Sequence, residues 1–314
     1  MEQDDTDVTV VRQQDFDCAG PVELCVELGN GRLDVRLIEP TEAAATVGVQ
    51  IRPDPTGRPP WNAGVAGLLT WLGEQAGAAT SGDLAAEAVR HTLIDCTGQR
   101  LTVRTPQDAP LRSVALTIQL TAPAGSALLA RSGSADVLVD GVAGRLDAST
   151  GAGQVRAQQC TGGVDIRTGA GDVRLGSVLG TLRVRTGSGA VDVISIGNDI
   201  SDVSAAGADS AANVQTGSGN VRFGAVRRDV TARSGSGDLV VVDASAGRLE
   251  LTSGSGQLRV GIQAGVLAEV DISSGSGEAR SDLPVGEPPT DGDVGLRVRA
   301  RTGSGDALIT SAPS

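Results

Sequence analysis

Tyrosine and lysine are absent from this chain of 314 residues, and histidine occurs once, as His91. Its aromatic residues are Trp61, Trp71, Phe16 and Phe223. A single globular core of this length would draw on many more large side chains. Thin layers filled by Val, Leu, Ile and Ala would not need them. With no Lys, no Tyr and one His, acid–base chemistry falls to Asp, Glu and Arg. The four cysteines, Cys18, Cys25, Cys96 and Cys160, are scattered and form no C-x-x-C pair. That spacing does not suit zinc, and buried free thiols are expected. No stretch approaches the ~18 apolar residues of a membrane span. Residues 1–7 are acidic and polar, so no secretory signal is visible. The expected location is cytoplasmic, with the cell surface as the alternative.

Net charge is −12. Nucleic acid and anionic membrane are therefore poor default partners. Glycine is abundant at 44 residues, and much of it falls in one motif. The pattern T/S-G-x-G recurs with its first glycine at Gly133, Gly151, Gly169, Gly187, Gly217, Gly235, Gly254, Gly275 and Gly303, with Ala135 replacing the second glycine in the first copy. The intervals are 18, 18, 18, 30, 18, 19, 21 and 28. A fixed period in this range is the signature of a solenoid.

Within residues 167–184, RTGAGDVRLGSVLGTLRV, Val173 and Leu175 alternate with polar residues, as do Leu182 and Val184. Period-two alternation turns one set of side chains inward and the other to water. Val178 fits a third inward position, and Val137, Val139, Val142 and Leu146 repeat the pattern two coils earlier. Continuing the alternation, the next inward positions are Ser132, Thr150, Thr168, Thr186, Thr216, Ser234, Ser253, Ser274 and Thr302. All carry a hydroxyl, which predicts a structural ladder in which successive hydroxyls pair up and down the stack. The glycines that follow are expected to supply positive φ at a sharp corner.

The fold class that follows is all-β. It is a single elongated β-solenoid of about nine 18-residue coils, with a short α-helical insertion in the N-terminal third. Residues 1–130 read as a capping region with degenerate coils and a helical insertion over about 61–95. Residues 131–314 read as regular repeats. In the first region, residues 28–37 resemble a coil whose second strand is Val47, Val49 and Ile51. A helix is expected from Ser81 or Asp83 to about Asp95. Trp61, Leu68, Leu69, Trp71 and Leu72 are a candidate oligomer contact. Solenoid ends need covering, so a cap is the other reading of these helices.

The repeats RTGAGDVRL, QTGSGNVRF, RSGSGDLVV and RTGSGDALI, with the P-A-G-S entry at residues 123–126, resemble the bacterial DUF4097 family, labelled "putative adhesin". The resemblance implies a β-helical fold, a bacterial and actinobacterial origin, and no assigned chemistry.

Two extra-long connections mark one arm of the coil, around Ser195–Ala211 and Leu283–Gly295. Their Asp199, Asp202, Asp209, Glu287, Asp291 and Asp293 are possible binding loops that would suit a cation better than a polyanion. With coils stacked in chain order, the loop roots would lie three coils apart. The residue after each corner is Asp136, Gln154, Asp172, Ala190, Asn220, Asp238, Gln257, Glu278 or Asp306. Three amides and one alanine there are too few acids for a calcium ladder. Two Arg stripes are visible: Arg131, Arg167, Arg185, Arg233 and Arg301 before the corner, and Arg156, Arg174, Arg222, Arg259 and Arg280 after it. They read as a solvated, charge-mixed surface, with an anionic-polymer surface as the functional alternative. No catalytic residues, metal site or cofactor is expected. The function indicated is a non-enzymatic scaffold that binds a protein partner or its own copies. The alternatives are a carbohydrate-binding surface adhesin exported by an unrecognised route and a glycan-cleaving β-helix enzyme.

Overall fold

A computed structural model describes residues 11–39, 45–54, 81–197, 211–284 and 294–313. The architecture is all-β with one described α-helix, and the coils stack as parallel strands, as a β-solenoid requires. The chain divides into two units, residues 1–142 and 143–314.

In the first unit, one sheet runs β1 (Arg12–Cys18), β4 (Ala45–Pro53), β7 (Ala115–Pro123), β3 (Asn30–Ile38) and β9 (Asp136–Ala143). The other runs β8 (Ala127–Ser132), β2 (Glu23–Leu28), β6 (Arg100–Arg104) and β5 (Leu93–Thr97). β3 pairs parallel with β7 and β9, so the coil expected at residues 28–37 is present. Its expected second strand is not. Val47, Val49 and Ile51 are buried, but on β4, which lies in the same sheet as β3 and runs antiparallel to both β1 and β7. Helix α1 spans Ser81–His91 and packs on β4 and β7, burying Ala88 and Val89. It stops short of the expected Asp95. Thr92 Oγ1 donates to Ala88 O, closing the last turn, and residues 93–97 alternate into β5. Gly98, at φ +61°, then turns the chain into β6 as an antiparallel hairpin.

The second unit is regular. One sheet contains β11 (Val155–Cys160), β13 (Val173–Val178), β15 (Val191–Ile196), β17 (Val221–Val226), β19 (Leu239–Ala244) and β21 (Leu258–Ile262), each bonded to the next. The other contains β10 (Arg145–Thr150), β12 (Val164–Thr168), β14 (Leu182–Thr186), β16 (Ala212–Thr216), β18 (Val230–Ser234) and β20 (Gly247–Ser253). All these pairs are parallel, and the register matches repeat to repeat: Leu182 on Val164, Val184 on Ile166, Thr186 on Thr168. Val173, Leu175, Val178, Leu182 and Val184 are no more than 2% exposed, so the alternation reads correctly. In the first coil the third inward position belongs to Ala143, fully buried, while Val142 is half-buried. Gly141, at φ +93°, sits two residues before Ala143.

The last two coils stack out of chain order. After β20 and β21 come β24 (Leu296–Thr302) and β25 (Ala307–Ser311), and outside them β22 (Ala268–Ser274) and β23 (Ala279–Ser281). The final coil is thus inserted beneath the one that precedes it. The inward side chains account for this. Leu296, Val298, Ala300, Ala307 and Ile309 are buried between two coils. The outer coil has the poorer set: Ala279 and Ser281 are exposed and Val270 and Ile272 are half-buried. The coil with least apolar surface to lose takes the open end. Arg297 pairs with Glu269 at 3.2 Å and Arg299 with Asp271 at 3.0 Å along the same junction. These exposed pairs add at most about 1 kcal/mol each.

Candidate functional site

The corner is the most repeated feature, and its geometry is structural. Thr150, Thr168, Thr186, Thr216, Ser234, Ser253 and Thr302 are buried, and Ser132 and Ser274 are half-buried. From Thr150 onward, each hydroxyl oxygen accepts the N–H of the second glycine of its own corner: Gly171 N to Thr168 Oγ1 is 2.9 Å and Gly189 N to Thr186 Oγ1 is 3.0 Å. Where the hydroxyl donates, its acceptor is a glycine carbonyl of the neighbouring coil, as in Ser253 to Gly237 O at 3.0 Å and Thr302 to Gly256 O at 2.8 Å. The partners are therefore backbone groups, not the hydroxyls of adjacent coils. In the first corner Ser132 instead donates to Ala135 O at 3.1 Å.

The corner glycines differ from expectation as well. None of them lies among the positive-φ glycines. Their requirement is space. A Cβ on Gly171 would lie 1.8 Å from Gly153 O, and one on Gly189 would lie 1.9 Å from Gly171 O. Backbone stacks directly on backbone here, bonded through Gly187 N to Gly169 O at 3.0 Å.

The residue after the corner has a role that the sequence reading missed. Asp172 Oδ1 accepts the N–H of Ala190, Asn220 Oδ1 that of Asp238, Asp238 Oδ1 that of Gln257, and Asp306 Oδ1 that of Glu278, at 2.8–3.0 Å. Each ties one coil to the next through a strand-start donor. Asp and Asn share the short side-chain acceptor this needs, whereas a calcium ligand set would favour the charge. That preference was the available signal. Among the described residues no group of three or more His, Cys, Asp or Glu is placed to hold a metal.

The four cysteines form no disulfide with one another, and only Cys160 is fully buried. Burial pushes its thiol up to about 11, so it remains a neutral, inert core residue at neutral pH. Cys18, Cys25 and Cys96 are half-buried, against the expectation of burial. Cys25 points outward between the buried Leu24 and Val26, and Cys18 and Cys96 sit on the sheet-end strands β1 and β5. Burial raises both the Cys25 and Cys96 thiols, and for Cys25 the neighbouring Glu23 adds to this.

The candidate loop residues Asp199, Asp202, Asp209, Glu287, Asp291 and Asp293 lie outside the described residues, as do Trp61, Leu68, Leu69, Trp71 and Leu72. Of the second loop's two roots, the one at β23 lies further from the first loop than chain order implies, because β25 intervenes, and the one at β24 lies nearer.

What remains is the outward face of each sheet in the second unit. On β12, β14 and their neighbours, the register places Ser149, Arg167, Arg185, Gln215, Arg233, Thr252, Arg301 and Ser273 in one column. Two residues earlier stands a second column: Asp147, Asp165, Arg183, Asn213, Thr231, Glu250, Arg299 and Asp271. On the other sheet Arg156, Arg174, Asp192, Arg222, Val240 and Arg259 align. Acids thus interrupt the second and third columns but not the first. A depression of about 270 Å³ opens on the sheet that holds β20, β22 and β24, among Arg248, Glu250, Glu269, Asp271 and Arg299, with both charge signs represented.

No family model and no curated protein matches the chain. Three solved structures are among those similar to it. A "putative adhesin" from Bacteroides fragilis NCTC 9343 is 12% identical, with 96% of this chain and 97% of that one covered and a TM-score of 0.43. A "putative lipid binding protein" from Parabacteroides distasonis ATCC 8503 is 12% identical over 95% and 96%, with a TM-score of 0.40. A "putative adhesin" from the same organism is 10% identical over 96% and 98%, with a TM-score of 0.34. At these scores the likeness adds nothing to the chain's own geometry, which carries the functional reading.

Proposed function

We propose that this chain is a non-enzymatic interaction module of the adhesin type, one that holds an extended partner against its sheet faces. The observation that carries this reading is how the coils divide their side chains. In each regular coil the inward row and the corner hydroxyl serve the stack, while outward side chains of successive coils form columns. Column members recur at the strand spacing of about 4.8 Å, which suits a partner contacting many coils at once. A catalytic site would instead gather an acid and a base in a concave, water-poor pocket. The likeness of repeats such as RTGAGDVRL and RSGSGDLVV to DUF4097 supports the same reading. No described helix is long and apolar enough to cross a membrane.

The immobilised chain tests this when challenged with cell-envelope polymers and lysate of its native host. Retention of a polymer or protein whose length is unchanged after prolonged incubation is the expected result. Shortening of the retained polymer would make the chain an enzyme, and retention of nothing would remove the interaction role.

A further inference from the structure

The acid-free column is unusual in a chain of net charge −12. Its eight members are four Arg and four uncharged polar residues. Arg167 and Arg185 stand directly side by side on adjacent strands. Like charges in that arrangement cost stability, so packing alone would not select them. Among the described residues no carboxylate is within ion-pair distance of Arg185 or Arg233, and both are exposed. Arg167 reaches Asp165 at 3.2 Å and Arg301 reaches Asp271 at 3.4 Å, each from a side chain 57% exposed. From Arg167 to Arg301 is five strand steps, roughly 24 Å at 4.8 Å per step.

The neighbouring column identifies the partner. Asp147 and Glu250 are acceptors in a line parallel to the Arg row, while Asp165 is already engaged by Arg167 at 3.2 Å and Arg183 at 3.8 Å. A phosphate polymer, with a charge every ~1.7 Å of duplex, would be repelled by them. A carboxylated sugar chain meets less repulsion, because its charges are more widely spaced and its hydroxyls donate to carboxylates while its acid groups meet Arg. Guanidinium is the cation best matched to a carboxylate, since it offers two parallel N–H donors. This face of the sheet also carries no aromatic side chain on which a base could stack.

We propose that the column Arg167, Arg185, Gln215, Arg233, Thr252, Arg301 binds a linear carboxylated polysaccharide, laid across the coils along the stack. This rests on the interaction-module reading above and names its ligand class.

Polygalacturonate is the test probe, with neutral dextran and duplex DNA as comparisons. The wild-type chain should bind polygalacturonate more tightly than either, and the affinity should fall with added salt. The double variant R185A/R233A, at two exposed positions, should melt like the parent and bind about tenfold or more weakly. The matched variant R156A/R222A, on the other sheet, should bind as the parent does. Absence of binding by the wild type, equal loss in both variants, or DNA bound as tightly as polygalacturonate would each overturn the assignment. If the wild type ignores polygalacturonate but retains another host partner, only this ligand class fails. If it retains nothing at all, the interaction-module reading fails with it.

Discussion

Single hydrogen atoms on backbone nitrogens decide what the corner residues must be. Thr186 accepts the N–H of Gly189 at 3.0 Å in a buried corner. Thr186→Val keeps the shape and removes the acceptor, stranding that N–H at a cost of about 1–3 kcal/mol. Thr186→Ser keeps the oxygen and should lose well under half of that. Thermal melts of the two variants separate these outcomes, and equal melting of the valine variant and the parent would contradict the bond. Gly171→Ala probes the other requirement. Its methyl group would meet Gly153 O at 1.8 Å, so the variant should lose about 3 kcal/mol or more. Gly295→Ala meets nothing within 4 Å and should melt like the parent in the same experiment. The nine hydroxyl positions were legible from the alternation, since Thr186 is simply the next inward residue after Val184. The bonding partner was not, because it depends on the path of the backbone around the corner. The glycines show the same gap: a sequence shows that Cβ is excluded, but not whether φ or a neighbouring chain excludes it.

Strands carry the next level, and here the sequence is most explicit. Val184 is fully buried on β14, between Ile166 of β12 and Val214 of β16. Val184→Asp would place a charge with no partner inside three stacked coils, and a loss of several kcal/mol is expected. Urea denaturation measures it, and a variant as stable as the parent would mean that the strand faces the other way. Period two alone was enough to place Val173, Leu175, Leu182 and Val184. It failed at Val47, Val49 and Ile51, which alternate equally well. Alternation fixes which side chains are buried but not whether the strand pairs parallel or antiparallel. The end of α1 was misjudged for a related reason. The alternation of residues 93–97 and the turn at Gly98 compete with helix continuation and win once β5 finds β6.

At the scale of the second unit, coil identity matters more than chain order. Repeats of one length establish that coils stack, but any coil can present its hydroxyl corner to any other. Chain order is the simplest arrangement, and it holds through β20 and β21. It then gives way to burial: a coil with Leu296, Val298 and Ile309 inside is covered by one with Ala279 and Ser281. The long intervals of 21 and 28 residues at this end were visible in the sequence, yet they read equally well as surface insertions. The acid-free Arg column was likewise visible as a stripe. Its freedom from acids appears only when the register separates it from the neighbouring column two residues away. Engineered cross-links in a cysteine-free background decide whether register and burial, rather than chain order, set the stack. Glu250 and Arg299 are registered partners on adjacent strands, while Asp271 lies one strand further out. Adjacent strands fall within disulfide reach, whereas strands two apart, roughly 9–10 Å, do not. Under mild oxidation the pair Glu250→Cys/Arg299→Cys should close within one molecule, and Glu250→Cys/Asp271→Cys should stay open. Closure of the second pair with the first left open would contradict the account and restore the coils to chain order.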